Sequence, residues 1–363
     1  MRALSLLGTA ALFLLRPPHA RAIEIADGFT YANTTGFAAS RALATDFTNY
    51  PMFEAVGVMY MHSGQGTSTG SGTLLNNEWV LTAAHNWNNS ITSMEFVVAG
   101  QKYSADMSER FQHPLWDGAV GPSQGWDIAL FKLTAPVTAN ITFPELYTKS
   151  DEMGKGGIIL GAGDLGTGTT PWAGQPGDPN PLLVYAAANV VDRLTTQTNS
   201  GYTGGLMAND FDGESLPAQN TLGISYHNNG DAWLWDSGSA IVTTLNPAGT
   251  ITGNDSADEQ FTLGGDILEG SVAPGDSGGP TFLEDGGEWK LAGITSWGHN
   301  PWDELSNGGD GFRGFYGDVN YMTRVSQNAD WIASVIPEPS SFALLVAFGA
   351  GALLFIRRKG IPC

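Results

Sequence analysis

Two serines in this sequence sit where a hydroxyl could become reactive: Ser277, within "EGSVAPGDSGGPTF" (269–282), and Ser237, within "DSGS" (236–239). A serine hydroxyl is a weak nucleophile at neutral pH. It needs an imidazole to take its proton, an acid to orient that imidazole, and N–H donors for the charge that develops on an attacked carbonyl. Ser277 lies between Gly275-Asp276 and Gly278-Gly279-Pro280. Glycines permit a tight turn that aims N–H groups inward and lets another backbone come close. The N–H groups of Gly275 and Ser277 are therefore candidates for an oxyanion-binding pair. Ser237 follows Trp235-Asp236 and has no comparable glycine nest, which fits an ordinary turn. Ser277 is the better candidate.

Of the six histidines, His85 ends "EWVLTAAH", an apolar strand pattern that stops in small residues and presents the ring at the edge of a packed body. His19 belongs to the N-terminal apolar segment. His62, His113, His227 and His299 stand in polar, loop-like contexts. No histidine and acid spacing suggests a metal site, and no cofactor is expected. For the acid, Asp127 opens the apolar run "WDIALFKL" (126–133). A carboxylate drawn into such a strand needs a partner, and imidazolium is a suitable one.

The elements that must position these residues are strands. Glycine numbers 48 of 363 residues and charged residues are sparse, a composition of short strands joined by turns. Runs such as "FEAVGVMYMH" (53–62), "GTLLNNEWVLTAA" (72–84), "GIIL" (157–160) and "EWKLAGITSWG" (288–298) are punctuated by Gly, Asn, Asp and Pro. One helix is predicted over 319–336, where Met322, Val325, Ala329, Ile332 and Ile336 recur at three- and four-residue steps. The Gly-, Asn- and Thr-rich stretch from Thr167 to Leu268 reads as strands carrying long surface loops. The sole cysteine is the last residue, Cys363, so packing alone must hold the body together.

The formal charge of −20 argues against nucleic acid as a partner. Residues 1–22 read as a secretory signal peptide: Arg2, the apolar run 3–15, and Ala20-Arg21-Ala22 as a small-x-small cleavage pattern. Cleavage by signal peptidase would leave Ile23 first. At the other end, Pro337-Glu338-Pro339 precedes a short apolar segment, Ser341–Ile356, and the basic cluster Arg357-Arg358-Lys359. The positive-inside rule would leave the body outside the membrane. This ending resembles the bacterial PEP-CTERM sorting signal, which implies exosortase as a processing enzyme and an exported protein of the cell envelope or exterior.

"LTAAH", "WDIALFKL", "PGDSGGP" and "ITSWG", in that order from Leu81 to Gly298, resemble the trypsin/chymotrypsin-type serine proteases. The resemblance implies an all-β fold of two antiparallel six-stranded barrels with a C-terminal helix. It places the protease domain over 23–336, with barrels at about 50–150 and 155–336. It implies an endopeptidase in which His85 is the general base, Asp127 orients it, Ser277 attacks, and Gly275 and Ser277 supply the oxyanion donors. Ser296-Trp297-Gly298 would pair with extended substrate backbone, Ser271 would floor the specificity pocket, and Gly298 and Gly314 would leave its walls open. An uncharged floor implies a neutral, fairly large apolar side chain before the cut, in a protein or peptide substrate. The acids Asp303, Glu304 and Asp310 of the following insert could counter that by reaching in.

The resemblance also implies an activation partner. A freed N-terminal amine, here on Ile23, would pair with Asp276; a cut after Arg41 is the rival. Asn86 and Ala273 stand where many animal relatives have cysteine. From Asp127 to Ser277 is 150 residues (277 − 127), longer than usual, which implies insertions over the second barrel. The alternative is a catalytically silent binding or matrix protein of the cell envelope. Inactive relatives usually lose one of the three residues, and here all three remain. The acidic run "NDFDGES" (209–215) does not match a calcium loop, having Ala208 and Gln219 at ligand positions.

Overall fold

The computed structural model describes residues 23–118, 125–170, 183–197, 202–211, 262–263, 266–299 and 316–336. The chain begins with three short strands, β1 (Glu24–Ile25), β2 (Thr30–Tyr31) and β3 (Thr34–Thr35), and the helix α1 (Gly36–Ala44). Six strands follow: β4 (Val56–Ser63), β5 (Gly66–Leu74), β6 (Trp79–Thr82), β7 (Ile91–Val98), β8 (Gln101–Gln112) and β9 (Ala129–Leu133). The second half supplies β10 (Gly156–Gly161), β11 (Gly166–Thr167), β12 (Tyr185–Val190), β13 (Arg193–Gln197) and β14 (Tyr202–Asp210). After these come β15 (Thr262–Leu263), β16 (Asp266–Ile267), β17 (Gly270–Ser271), β18 (Pro280–Asp285), β19 (Glu288–His299) and β20 (Val319–Arg324), then the helix α2 (Ala329–Val335).

Strands β4 to β9 close a barrel in the order β4-β5-β6-β9-β8-β7. Side chains alternate across a strand, and this divides each barrel strand between two cores. Met59, Met61, Val80, Phe96, Ala129 and Phe131 fill the barrel interior, where Phe96 and Phe131 meet edge to face with centroids 6.3 Å apart. Their neighbours Val58, Tyr60, Leu81, Val97 and Leu130 point the other way. They join the core shared with Ile158, Leu160, Phe282, Leu291 and Ile294 of the second half. The "NNEW" turn between β5 and β6 is fixed by Asn76, whose Oδ1 accepts the N–H groups of Glu78 and Trp79, both at 2.9 Å.

The second half differs from a second closed barrel. Among the described residues it is a seven-stranded sheet, ordered β12-β10-β18-β19-β20-β14-β13. Its edges β12 and β13 are consecutive in the chain, so the sheet must curl. Asp192, between them, donates its N–H to Ala208 O at 2.9 Å. The result is a half-barrel.

The predicted helix over 319–336 is also corrected. Residues 319–324 are strand β20, paired with β14 on one side and β19 on the other, and only Ala329–Val335 is helical. Successive side chains of β20 go to opposite faces: Tyr321 stacks on Trp297 (4.0 Å between centroids), while Met322 enters the main core. The three- and four-residue spacing belonged to two elements. Arg324, at the end of β20, pairs with buried Glu152 through two hydrogen bonds of 3.0 and 2.7 Å, tying this strand to the connection between the halves.

Residues 23–44 are part of the body. β1 lies between β11 and β17, and α1 packs on β12 through Ser40, whose hydroxyl donates to Ala186 O at 2.6 Å. Among the described residues no helix is long and apolar enough to cross a membrane. The expected signal peptide and sorting tail lie outside the described residues.

Candidate active site

His85 follows β6 in a short 3-10 turn, Ala84–Asn86. Ala83 and Ala84 are fully buried, and small side chains let the chain turn tightly there while the ring reaches the surface, 26% exposed. Its backbone N–H donates to Asp127 Oδ1 at 2.8 Å, and its ring Nδ1 meets Asp127 Oδ2 at 2.6 Å. One carboxylate thus fixes both the backbone and the plane of the ring. With Nδ1–H donated to the carboxylate, Nε2 is left as the acceptor.

Asp127 stands just before β9 and is wholly buried. Its Oδ2 also accepts the Ser296 hydroxyl at 2.5 Å, and its carbonyl accepts the Thr323 hydroxyl at 3.1 Å. Both donors come from the second half, so the acid spans the two halves. Burial alone would push the His85 ring down. The Asp127 charge and hydrogen bond outweigh that and hold it above the ordinary imidazole value.

Ser277 lies on the loop between β17 and β18. Gly275 has φ of +101° and Gly278 of +86°, a region closed to most side chains. A Cβ on Gly278 would also stand 2.0 Å from Thr82 Oγ1 and 2.3 Å from Ser71 O. The turn's own hydrogen bonds use the N–H groups of Asp276, Gly278 and Gly279, to Ala273 O, Thr295 O and Asp276 O. The N–H groups of Gly275 and Ser277 stand outside that set. The Ser277 carbonyl accepts Ser71 N–H at 2.8 Å and Asn86 Nδ2 at 2.9 Å. Among the described residues no hydrogen bond joins the Ser277 hydroxyl to the His85 ring, a contact that commonly tightens only when substrate is bound.

Asp276 points away from Ser277 into the body. Its carboxylate accepts N–H groups from Ala273 (2.7 Å), Gly163 (2.7 Å) and Ile23 (3.2 Å). Burial nevertheless pushes it up to about 7, against those three donors and with help from the charge of Asp164. Ile23 is buried, and its φ of 69° is rare for a β-branched residue.

The structure therefore brings together His85, Asp127 and Ser296, and separately Ile23 with Asp276. Ser296 uses its side chain on Asp127, an interaction its place in "ITSWG" did not disclose. Ser271 is fully buried, and its hydroxyl donates to Asn320 Oδ1 at 2.8 Å. Asn320 faces Gly298 across β19 and β20. Sequence reasoning missed Asn320 because it stood in the stretch read as helix. It noted Asn86 only for the cysteine it replaces. Gly314, Ser237 and the acids Asp303, Glu304 and Asp310 lie outside the described residues. Among the described residues no three His, Cys, Asp or Glu side chains gather where they could hold a metal ion.

The family model described as Trypsin matches residues 53–267 and 250–332. The chain belongs to the trypsin family. Among curated trypsin-family relatives, chymotrypsin-like elastase family member 1 of Felis catus is 24% identical over 301 residues, covering 80% of this chain and 88% of its own. The same protein of Canis lupus familiaris is 25% identical over 288 residues, covering 77% and 86%. A solved structure of neuropsin, a serine protease expressed in the limbic system of mouse brain, covers 77% of this chain and 94% of its own. It aligns at 18% identity with a TM-score of 0.44.

Proposed function

We propose that this trypsin-family chain is a secreted or cell-envelope serine endopeptidase acting on proteins or peptides, with His85, Asp127 and Ser277 as its catalytic residues. The observation that carries the reading is the Asp127 carboxylate held at once by the backbone and the ring of His85. That arrangement selects the tautomer whose Nε2 can accept a proton. Ser277 Oγ attacks the carbonyl carbon of the scissile bond as its proton passes to Nε2, and imidazolium forms beside the Asp127 charge. The carbonyl oxygen, now an oxyanion, accepts the N–H groups of Gly275 and Ser277. Imidazolium then gives its proton to the departing amine, leaving an ester on Ser277. A water molecule, deprotonated in turn by His85, attacks that ester and restores the serine.

The residue before the cut is neutral in this reading. Ser271, the residue the resemblance puts on the pocket floor, is uncharged and bonded to the equally uncharged Asn320, whose carboxamide beside Ser271 would favour a smaller group than Gly298 alone would admit. The strand Ser296-Trp297-Gly298 would pair with substrate backbone.

Activation follows from the N-terminus. Removal of residues 1–22 would turn the Ile23 N–H into an ammonium 3.2 Å from the Asp276 carboxylate. It would also abolish the φ dihedral of Ile23, which exists only while the preceding residue is attached, and release strain of about 1–3 kcal/mol. A cut after Arg41 fits less well, since Arg41 lies inside α1 and bonds to Val184 O. Export by a signal peptide and sorting by the PEP-CTERM tail complete the proposal, with the protease domain over 23–336.

The test is hydrolysis of a peptide library by the chain beginning at Ile23. Cleavage abolished in both Ser277→Ala and His85→Ala supports the reading, and cleavage that survives either substitution contradicts it.

A further inference from the structure

We infer that Asn86 is a positioning residue: its carboxamide ties the turn carrying His85 to the backbone of Ser277 and so sets how the two side chains meet. The inference rests on the reading of His85 as base and Ser277 as nucleophile.

Asn86 is 9% exposed. Its Nδ2 donates to the Ser277 carbonyl at 2.9 Å and to Thr82 Oγ1 at 2.8 Å. The Thr82 hydroxyl donates to Ser71 O at 2.7 Å, and Ser71 N–H donates to the same Ser277 carbonyl at 2.8 Å. These four bonds form a closed circuit through Ser71, Thr82, Asn86 and Ser277. It joins β5, the His85 turn and the serine loop. Ser71 extends the tie, its hydroxyl donating to Gly275 O at 3.1 Å and accepting Ala162 N–H at 3.0 Å.

The neighbouring residues make room for this circuit. A Cβ on Gly70 would lie 3.0 to 3.2 Å from the Asn86 head group, and one on Gly278 would lie 2.8 Å from Asn86 Nδ2. No covalent link can replace the circuit, because the sole cysteine is Cys363. A carbonyl oxygen only accepts, so the tie requires a donor at residue 86. Aspartate there would keep the shape but set lone pairs against both the Ser277 carbonyl and Thr82 Oγ1, whose one hydrogen is already donated to Ser71 O.

The His85–Asp127 contact does not pass through Asn86, which separates the effects. Loss of the tie should slow the step in which Ser277 and His85 meet and leave the pH midpoint set by His85 in place. Misplacement of reacting groups by about 1 Å costs up to ~100-fold in rate. In the chain beginning at Ile23, Asn86→Ala is expected to lower phosphonylation of Ser277 by a fluorophosphonate, and kcat, by ~10- to ~100-fold with KM little changed. Asn86→Asp is expected to lose more.

The experiment measures phosphonylation by the fluorophosphonate per folded molecule, melting temperature, kcat and KM for the wild type, Asn86→Ala and Asn86→Asp. A purely structural role would lower the melting temperature and leave the rate per folded molecule unchanged, and that result overturns the inference. If Asn86→Ala does not fold, the isosteric Asn86→Asp decides: phosphonylation at the wild-type rate overturns the inference, and slowed phosphonylation with unchanged KM sustains it. Failure of the wild type to react at Ser277 would instead overturn the reading on which the inference rests.

Discussion

Ile23→Ala, introduced into the chain that begins at residue 23, should uncouple a folded protein from a reactive one. The Ile23 side chain is fully buried in the main core, and the next residues pair with the strand just ahead of the serine loop, Glu24 with Ser271 and Ile25 with Gly270. Truncating a buried isoleucine costs about 2–5 kcal/mol in lost transfer energy and residual cavity. At about 1.4 kcal/mol per factor of ten, the docked N-terminus becomes ~30- to ~4,000-fold less favoured. Undocking withdraws the ammonium from Asp276, which burial, against three backbone N–H donors and with the charge of Asp164, pushes up to about 7 in the uncut chain. The carboxyl then takes a proton, or forces the loop to move so that water can reach it. Either outcome disturbs the turn that presents the Gly275 and Ser277 N–H groups. The assay is the rate of phosphonylation by a fluorophosphonate at neutral pH, with circular dichroism as the control for folding. The variant should react slowly, much as the uncut chain does. Phosphonylation at the wild-type rate by folded, undocked Ile23→Ala would refute the coupling.

Other outcomes follow from the same contacts. In the uncut chain Asp276 sits above its ordinary value, so the stability linked to its protonated form is complete below about pH 4. That stability is lost as pH rises through about 7. Melting temperatures of uncut wild type should fall across this window relative to Asp276→Asn, and parallel curves would count against it. Phosphonylation should rise with pH as His85 loses its proton, with a midpoint above the ordinary imidazole value of about 6.5 because Asp127 holds the ring up. Asp127→Asn should move that midpoint down and cut the rate by up to ~10,000-fold, a magnitude borrowed from chymotrypsin-type enzymes of the same family. Asn320→Gly removes the carboxamide that accepts the Ser271 hydroxyl. Profiling on a peptide library should then show a shift towards larger neutral residues before the cut.

The parts of the site legible in the sequence are those whose chemistry restricts residue type. An imidazole after an apolar strand, a carboxylate opening another, and a serine among glycines each admit few alternatives, and the strands beside His85 and Asp127 are short apolar runs bounded by turn residues. Position 86 was different. Read along the chain, Asn86 is a polar residue after a histidine, and its worth comes from Ser277, 191 positions away. The Ile23–Asp276 contact spans 253 positions and was visible only through the family resemblance. The stretch 319–336 misled because Met322 and Val325 near the end of a strand, and Ile332 and Ile336 in and after a helix, fall at helical steps by accident. Both faces of β20 are buried, so it lacks the alternation that marks a half-exposed strand. Closure of the second half depends on how far a seven-stranded sheet curls, which no local pattern encodes.

The central claim is that Ser277 is the nucleophile, and the most direct measurement is the location of a fluorophosphonate adduct by peptide mass spectrometry in the chain beginning at Ile23. A single adduct on the peptide containing Ser277, absent from Ser277→Ala and retained in Ser237→Ala, is the predicted result. An adduct on Ser237, or a folded and correctly trimmed protein that takes none, would contradict it.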